Sequence, residues 1–386
     1  MDCPSTSQST DLYIASLKSL AGRSIAITLF QNNVRWRRLT DVVETLKCWL
    51  KDIGVAARLK KQLHDYIGEV INEVQRWNEK HSALFGDEKP CLIPGTKIQR
   101  AHRSEHLRTF YQCIAWKTNR YEIDDYKTAQ NIIDECSNWP QMQFQFACAY
   151  AMIDMLKNTS RFDSIRLRAF SKKLSGHCLY DFWITILSDD VAWKKMFSSD
   201  ALSPKQKLSL AFQFSILNGY FELMSFIWER VTMAQREYIG ILQWSKICFR
   251  AKHSAVVEFL CQRLCDVNPN ALARITWNSF YDALHKSIEN EDNEGVREVN
   301  TKKIEFLLEH CCPKLRDALL SMSNYKVVTD AFAYNQSETF ALFLDYLNKD
   351  QLQLAREFVD RFYDRKKTES ARNFRQMVIR RQHTID

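Results

Sequence analysis

The chain has 386 residues, 46% of them hydrophobic, so it can bury a large core and global disorder is excluded. It holds only 9 Gly and 7 Pro, too few for the tight turns and phosphate loops of sheet-rich enzymes, and this favours an all-α chain. The net charge of +8, from 54 Lys and Arg against 46 Asp and Glu, is a mild excess that a solvated mixed-charge surface accounts for.

Residues 1–10 are polar and lack the apolar core of a secretory leader, so they are expected to be a disordered lead. No run approaches the ~20 apolar residues of a membrane span. The best stretch, 144–156, contains Gln145 and Asp154. These features point to the cytoplasm, or the nucleus, and to 12 cysteines kept reduced.

Residues 11–84 read as an N-terminal helical domain. Helix is expected over 12–30 with a break at Gly22. Over 39–53, Val42, Val43, Leu46, Trp49, Leu50 and Ile53 align one apolar stripe. Over 55–77, Leu59, Leu63, Ile67, Val70, Val74 and Trp77 do the same, giving a helix pair hinged near Gly54. Gly86, Pro90, Pro94 and Gly95 mark 85–98 as a linker and domain boundary. Diverged helical repeats are expected over 99–206, with helices at 104–116, 126–136, 142–157 and 162–174; Pro140 suits the start of the third.

From 207 to 360 a hydrophobic phrase recurs. Met224-Ser225-Phe226-Ile227-Trp228 is followed by Val257-Glu258-Phe259-Leu260-Cys261, Ile304-Glu305-Phe306-Leu307-Leu308 and Phe340-Ala341-Leu342-Phe343-Leu344. The steps from 224 to 257, 304 and 340 are 33, 47 and 36 residues. The long step contains an acidic segment, 289–300, expected to be a surface loop. A period in the mid-thirties indicates stacked helix pairs, each too small to bury its own apolar face.

This unit resembles the ankyrin repeat. Asn218-Gly219-Tyr220-Phe221-Glu222-Leu223-Met224 is similar to that family's Asn-Gly-His-Leu-Glu-Val-Val. Ala255 to Leu260 with Asp266-Val267-Asn268 resembles its second helix and hairpin entry, and Leu284-His285-Lys286-Ser287 resembles its Leu-His-x-Ala. No copy has a full Thr-Pro-Leu-His, and Gly219 is matched by Lys252 and Gln336 in other copies. The resemblance implies an α-solenoid of degenerate helix pairs and a protein-binding scaffold. Its partner would meet hairpin tips and first helices over 232–244, 266–277 and 314–326, with Gln235, Arg236, Tyr238, Trp244, Asn268, Asn270 and Trp277 as contacts. Trp244 and Trp277, one period apart, read first as structural pegs between repeats, and as binding anchors where exposed.

Chemistry is sparse. The chain lacks GxSxG, GxxxxGK[ST], GxGxxG and HExxH, so no catalytic or cofactor-binding residue is assigned. His253, Cys261, Cys265, His310, Cys311 and Cys312 share one region but lack paired CxxC spacing, so burial rather than zinc is expected. The basic segment 361–386, with Arg361, Arg365, Lys366, Lys367, Arg372 and Arg375, reads as a capping helix. Because Phe362, Tyr363 and Phe374 interleave these cations, nucleic-acid binding is the second reading. A cluster at Lys97, Arg100, His102, Arg103, His106 and Arg108 adds to it. The function expected is a monomeric, non-enzymatic adaptor for a protein partner.

Overall fold

The computed structural model describes residues 17–35, 37–85, 106–117, 122–198, 202–247, 253–289 and 294–385. The described residues are nearly all helical and contain no strand; Trp116 and Ile123 form one isolated antiparallel bridge. The lead at 1–10 lies outside the described residues, as does nearly all of the linker at 85–98. The chain divides into two compact units, 1–180 and 181–386.

In the first unit, α1 (Leu17–Asn33) packs on α2 (Leu39–Asp52) and α3 (Ala57–Ser82). The expected break at Gly22 does not occur. Gly22 instead admits Tyr66 of α3, whose ring would lie 2.4 Å from any added Cβ. The missing side chain serves helix packing, not termination. Val42, Leu46 and Leu50 of α2 and Ile67, Val70, Val74 and Trp77 of α3 are buried, as their spacing required.

A 3-10 helix, His106–Cys113, leads to α4 (Asp125–Glu135), which is capped by Asp124 accepting from the Lys127 N–H. Pro140 begins α5 (Pro140–Ala149). The single helix expected over 142–157 is broken: Ala151 is left-handed at φ 46°, and α6 (Ile153–Leu156) starts anew. Then come α7 (Ser164–Lys173) and α8 (Cys178–Leu187), the helix in which the division falls. Phe144 anchors this region, its ring 5.5 Å from Phe162 and 5.0 Å from Phe170.

In the second unit, α9 (Asp190–Ser198) precedes five consecutive packed helix pairs. They are α10 (Leu202–Asn218) with α11 (Phe221–Arg230) and α12 (Met233–Ile247) with α13 (Ser254–Val267). Next are α14 (Pro269–Glu289) with α15 (Glu294–His310), and α16 (Pro313–Ala333) with α17 (Ser337–Asp345). The last is α18 (Lys349–Lys366) with α19 (Glu369–Ile385). All four repeated phrases lie on the second helix of a pair.

Two expectations are corrected here. No hairpin separates the pairs: only Val231 and Thr232 join α11 to α12, only Asn268 joins α13 to α14, and Cys311 and Cys312 join α15 to α16. The described part of the acidic segment is also helical: residues 294–300 form the first turns of α15, which runs to 17 residues against 14 for α13.

One connection recurs three times. The Met152 N–H donates to Ala147 O, Tyr220 to Ser215 O and Gln336 to Ala331 O, at 3.0, 2.8 and 2.9 Å. Each is preceded by a left-handed residue: Ala151 at φ 46°, Gly219 at 72° and Asn335 at 54°. This is the six-residue helix terminator that satisfies orphan carbonyls. The left-handed position of the last copy is therefore Asn335, one residue before Gln336, which has φ −94°.

Candidate functional site

The expected partner contacts fall on α12, on α14 and on Asn268 between α13 and α14, and the structure divides them by burial. Gln235 and Trp244 are fully buried, so they are not surface contacts. The Gln235 side chain accepts from the Thr232 N–H at 3.0 Å, closing the first turn of α12. Trp244 donates from Nε1 to Thr276 Oγ1 at 2.8 Å and so pegs α12 to α14. Arg236 is half-buried, donating to Trp228 O at 3.0 Å. Asn268 caps α14 by accepting from the Ala271 N–H, and its amide donates to Glu237. Trp277 is half-buried, 6.2 Å from the Tyr281 ring. Only Tyr238 and Asn270 of the set are exposed.

Beside Tyr238, exposure on α10 and α12 includes two apolar residues outside the expected set, Leu210 and Leu242. Leu210 is 50% exposed, Tyr238 44% and Leu242 37%, with Lys205 lying 5.7 Å over the Tyr238 ring. Tyr238 and Leu242 are one turn apart on α12. On α14 the exposed positions turn polar: Asn270, Arg274, Asn278, Asp282 and His285.

The basic segment is folded as the end of α18 and the whole of α19. Phe374 and Val378 are buried, and Phe362 and Tyr363 are half-buried, so these side chains serve the core rather than offering stacking platforms. Arg375 pairs with Asp360 at 2.6 Å, and Arg381 with Asp345 at 3.3 Å. Arg361, Arg365, Lys366, Lys367 and Arg372 are exposed. Lys97, Arg100, His102 and Arg103 lie outside the described residues.

The most organised polar centre of the first unit surrounds His81, which is fully buried. Its Nδ1 faces Trp77 O at 2.8 Å, and a carbonyl only accepts, so Nδ1 carries the proton. Nε2 must then accept from the Tyr150 hydroxyl at 2.7 Å. Burial pushes this imidazole down to about 3. Asp125 lies beside Lys80 at 2.6 Å and Arg76 at 2.8 Å; against the upward push of burial, these two cations hold its carboxyl well below the usual range. Every polar position of His81 is thus occupied by protein. The neighbouring groove of about 830 Å³, bounded by Tyr126, Lys127, Met152, Asp154 and Arg161, has no His, Cys, Ser or Thr among the described residues of its lining.

A third arrangement was illegible from spacing. Cys261 and Cys265 stand one turn apart on α13, and Cys312 is the N-cap residue of α16. Cys312 Sγ lies 3.3 Å from Cys261 Sγ and 3.3 Å from Cys265 Sγ, and all three sulfurs fall within 4.8 Å of one another. The Cys312 N–H donates to Cys261 Sγ at 3.0 Å. Contact with the other two thiols holds Cys312 well below the usual thiol range and pushes Cys261 up. Cys311 turns away, its thiol directed to Leu308 O. His310 lies against Glu258 at 3.1 Å, and the His253 ring covers Gly219. Of the six residues that the sequence grouped, three cysteines converge. Compared with protein-family models, curated proteins and solved structures, the chain matches none.

Proposed function

We propose that the chain from Leu202 onward is an α-solenoid of helix pairs that binds another protein without catalysis, and that the protein acts as a monomeric adaptor. The observation that carries this reading is a double row of contacts. The first helices α10, α12, α14 and α16 pack in succession, and so do the second helices α13, α15, α17 and α19. Phe259 of α13 reaches back to Phe221 and Trp228 of α11, with ring centroids 5.3 and 6.4 Å apart. Pairs that lean on both neighbours form a quasi-linear array, and its flank is an extended binding surface. The ankyrin resemblance enters through the second helices and the Gly219 turn; the short connections favour a hairpin-free variant of that plan.

The partner is a protein segment with apolar anchors. Leu210, Tyr238 and Leu242 supply the apolar contact, and Lys205 and Lys246 place positive charge beside it. No helix among the described residues is long and apolar enough to cross a membrane, which accords with this role. The test is affinity capture with the intact chain against a Tyr238→Asp/Leu242→Asp variant of matched helicity. A protein retained by the first and reduced at least tenfold by the second supports the reading. An unchanged set of captured proteins overturns the choice of face. Retention that collapses with added salt and nuclease would favour the nucleic-acid reading through Arg361 to Arg372.

A further inference from the structure

We propose that Cys261, Cys265 and Cys312 form a three-thiolate site for a thiophilic d10 cation, Zn2+ foremost, with the fourth coordination position open to solvent. Two chain segments, 47 and 51 residues apart in these pairings, bring three sulfurs to one point. A cysteine buried only as a small hydrophobe gains by touching carbon. Here sulfur faces sulfur at 3.3 Å, the arrangement a shared cation would hold together.

The surroundings suit thiolate charge. Cys312 sits at the N-terminus of α16, a helix of 21 residues, where the macrodipole and free N–H groups favour an anion. The Cys312 N–H directed at Cys261 Sγ stabilises a second sulfur in the same way. Lys314 adds positive charge near Cys265. Tetrahedral Zn–S bonds of about 2.3 Å set sulfurs about 3.8 Å apart, so binding requires an outward shift of roughly half an ångström. Cys261 and Cys265 are buried and Cys312 is half-exposed, which leaves the Cys312 side as the route of entry and the place for a water ligand.

Binding forms three S–Zn bonds and releases the thiol protons to water. It fastens α13 to the start of α16, skipping the intervening pair α14 and α15. The ion therefore braces the array between pairs that are not consecutive in the chain.

The full chain, purified under reducing conditions and stripped with chelator, is titrated with Zn2+, and Co2+ is used as a spectroscopic probe. One equivalent is expected, with thiolate-to-cobalt charge transfer and the d–d bands of a tetrahedral ion. Cys265→Ser and Cys312→Ser should each weaken binding at least tenfold, whereas Cys311→Ser and Cys148→Ser leave it unchanged. X-ray absorption on the unmutated zinc form keeps the test decisive if a variant fails to fold: three sulfur neighbours at about 2.3 Å are expected. Absence of binding to the reduced chain, one sulfur neighbour or none, or equal loss in the Cys311 and Cys148 controls overturns the site. Binding would stand or fall without bearing on the partner-capture result.

Discussion

The two units solve the same problem of ordering many short helices by different means. The first relies on buried polar groups of fixed geometry. His81 is locked between Trp77 O and Tyr150, Asn78 donates to Tyr111 at 2.6 Å, and Gln145 and Tyr180 both donate to Leu84 O. The second relies on aromatic side chains repeated in register. Trp183 and Phe226, Phe212 and Trp228, and Phe280 and Phe343 stack across helices, and Phe374 meets Phe332 and Phe340. Polar networks specify one arrangement because a buried member that loses a partner is left unsatisfied at high cost. Repeated apolar contacts tolerate divergence, because only size and position must persist.

The largest expected effect tests the second strategy. Phe259 touches Phe221 and Trp228 and carries the Arg263 guanidinium 3.5 Å over its ring. Phe259→Ala should cost about 3–5 kcal/mol in denaturant melts, because the void borders two helix pairs that cannot collapse independently. A cost under roughly 1 kcal/mol would mean that the pairs do not lean on each other through this side chain.

The next effect is specific to the first unit and depends on acid. His81 titrates at about 3 when folded and near its ordinary value of 6.5 when unfolded. The unfolded chain therefore binds an additional proton below about pH 6, and stability falls as pH falls. The loss approaches about 1.4 kcal/mol per pH unit and reaches about 3 kcal/mol near pH 4. The charged groups facing His81 are Asp125, Lys80 and Arg76. Asp125, with its pKa lowered in the fold, adds to the loss only below the ordinary carboxylate value of 3.8. Hydrogen exchange followed by mass spectrometry should show opening of α3 and α5 between pH 6 and 4 before α13 and α15, and His81→Gln should flatten the slope. Simultaneous opening of both sets of helices would end the distinction between the units.

The same contrast explains what could be read from the chain. Helix existence was legible wherever an apolar stripe persisted, as in α2, α3 and the four repeated phrases. The expected break at Gly22 was misplaced because glycine reports either a turn or a close approach, and Tyr66 supplies the second. The acidic stretch at 289–300 looked like a loop because Glu and Asn carry no apolar period, yet its described part extends α15. Gln235 looked accessible, and Trp244 could be read as peg or anchor, because surface and peg residues share one helical spacing. The cysteines were grouped by the sequence, but that three of them converge was hidden for a different reason. Cys261 and Cys265 show an i, i+4 pair, but Cys312 reaches them only through the fold of α14 and α15, and sequence spacing carries no trace of that return.

The smallest effect probes the feature the units share. Ala151, Gly219 and Asn335 occupy one left-handed position in three copies of the same turn. Glycine is strain-free there, asparagine is tolerated, and alanine pays a Cβ clash of about 1–2 kcal/mol. Ala151→Gly relieves that clash, while the added freedom of the unfolded chain offsets about 0.5–1 kcal/mol. The net gain expected is about 0.5–1 kcal/mol by thermal or denaturant unfolding. The reverse change, Gly219→Ala, should cost more than that gain, because its Cβ would also come within 2.7 Å of the His253 ring. If Ala151→Gly destabilises, the turn in the first unit is not held by left-handed geometry, and the three connections do not share one physical cause.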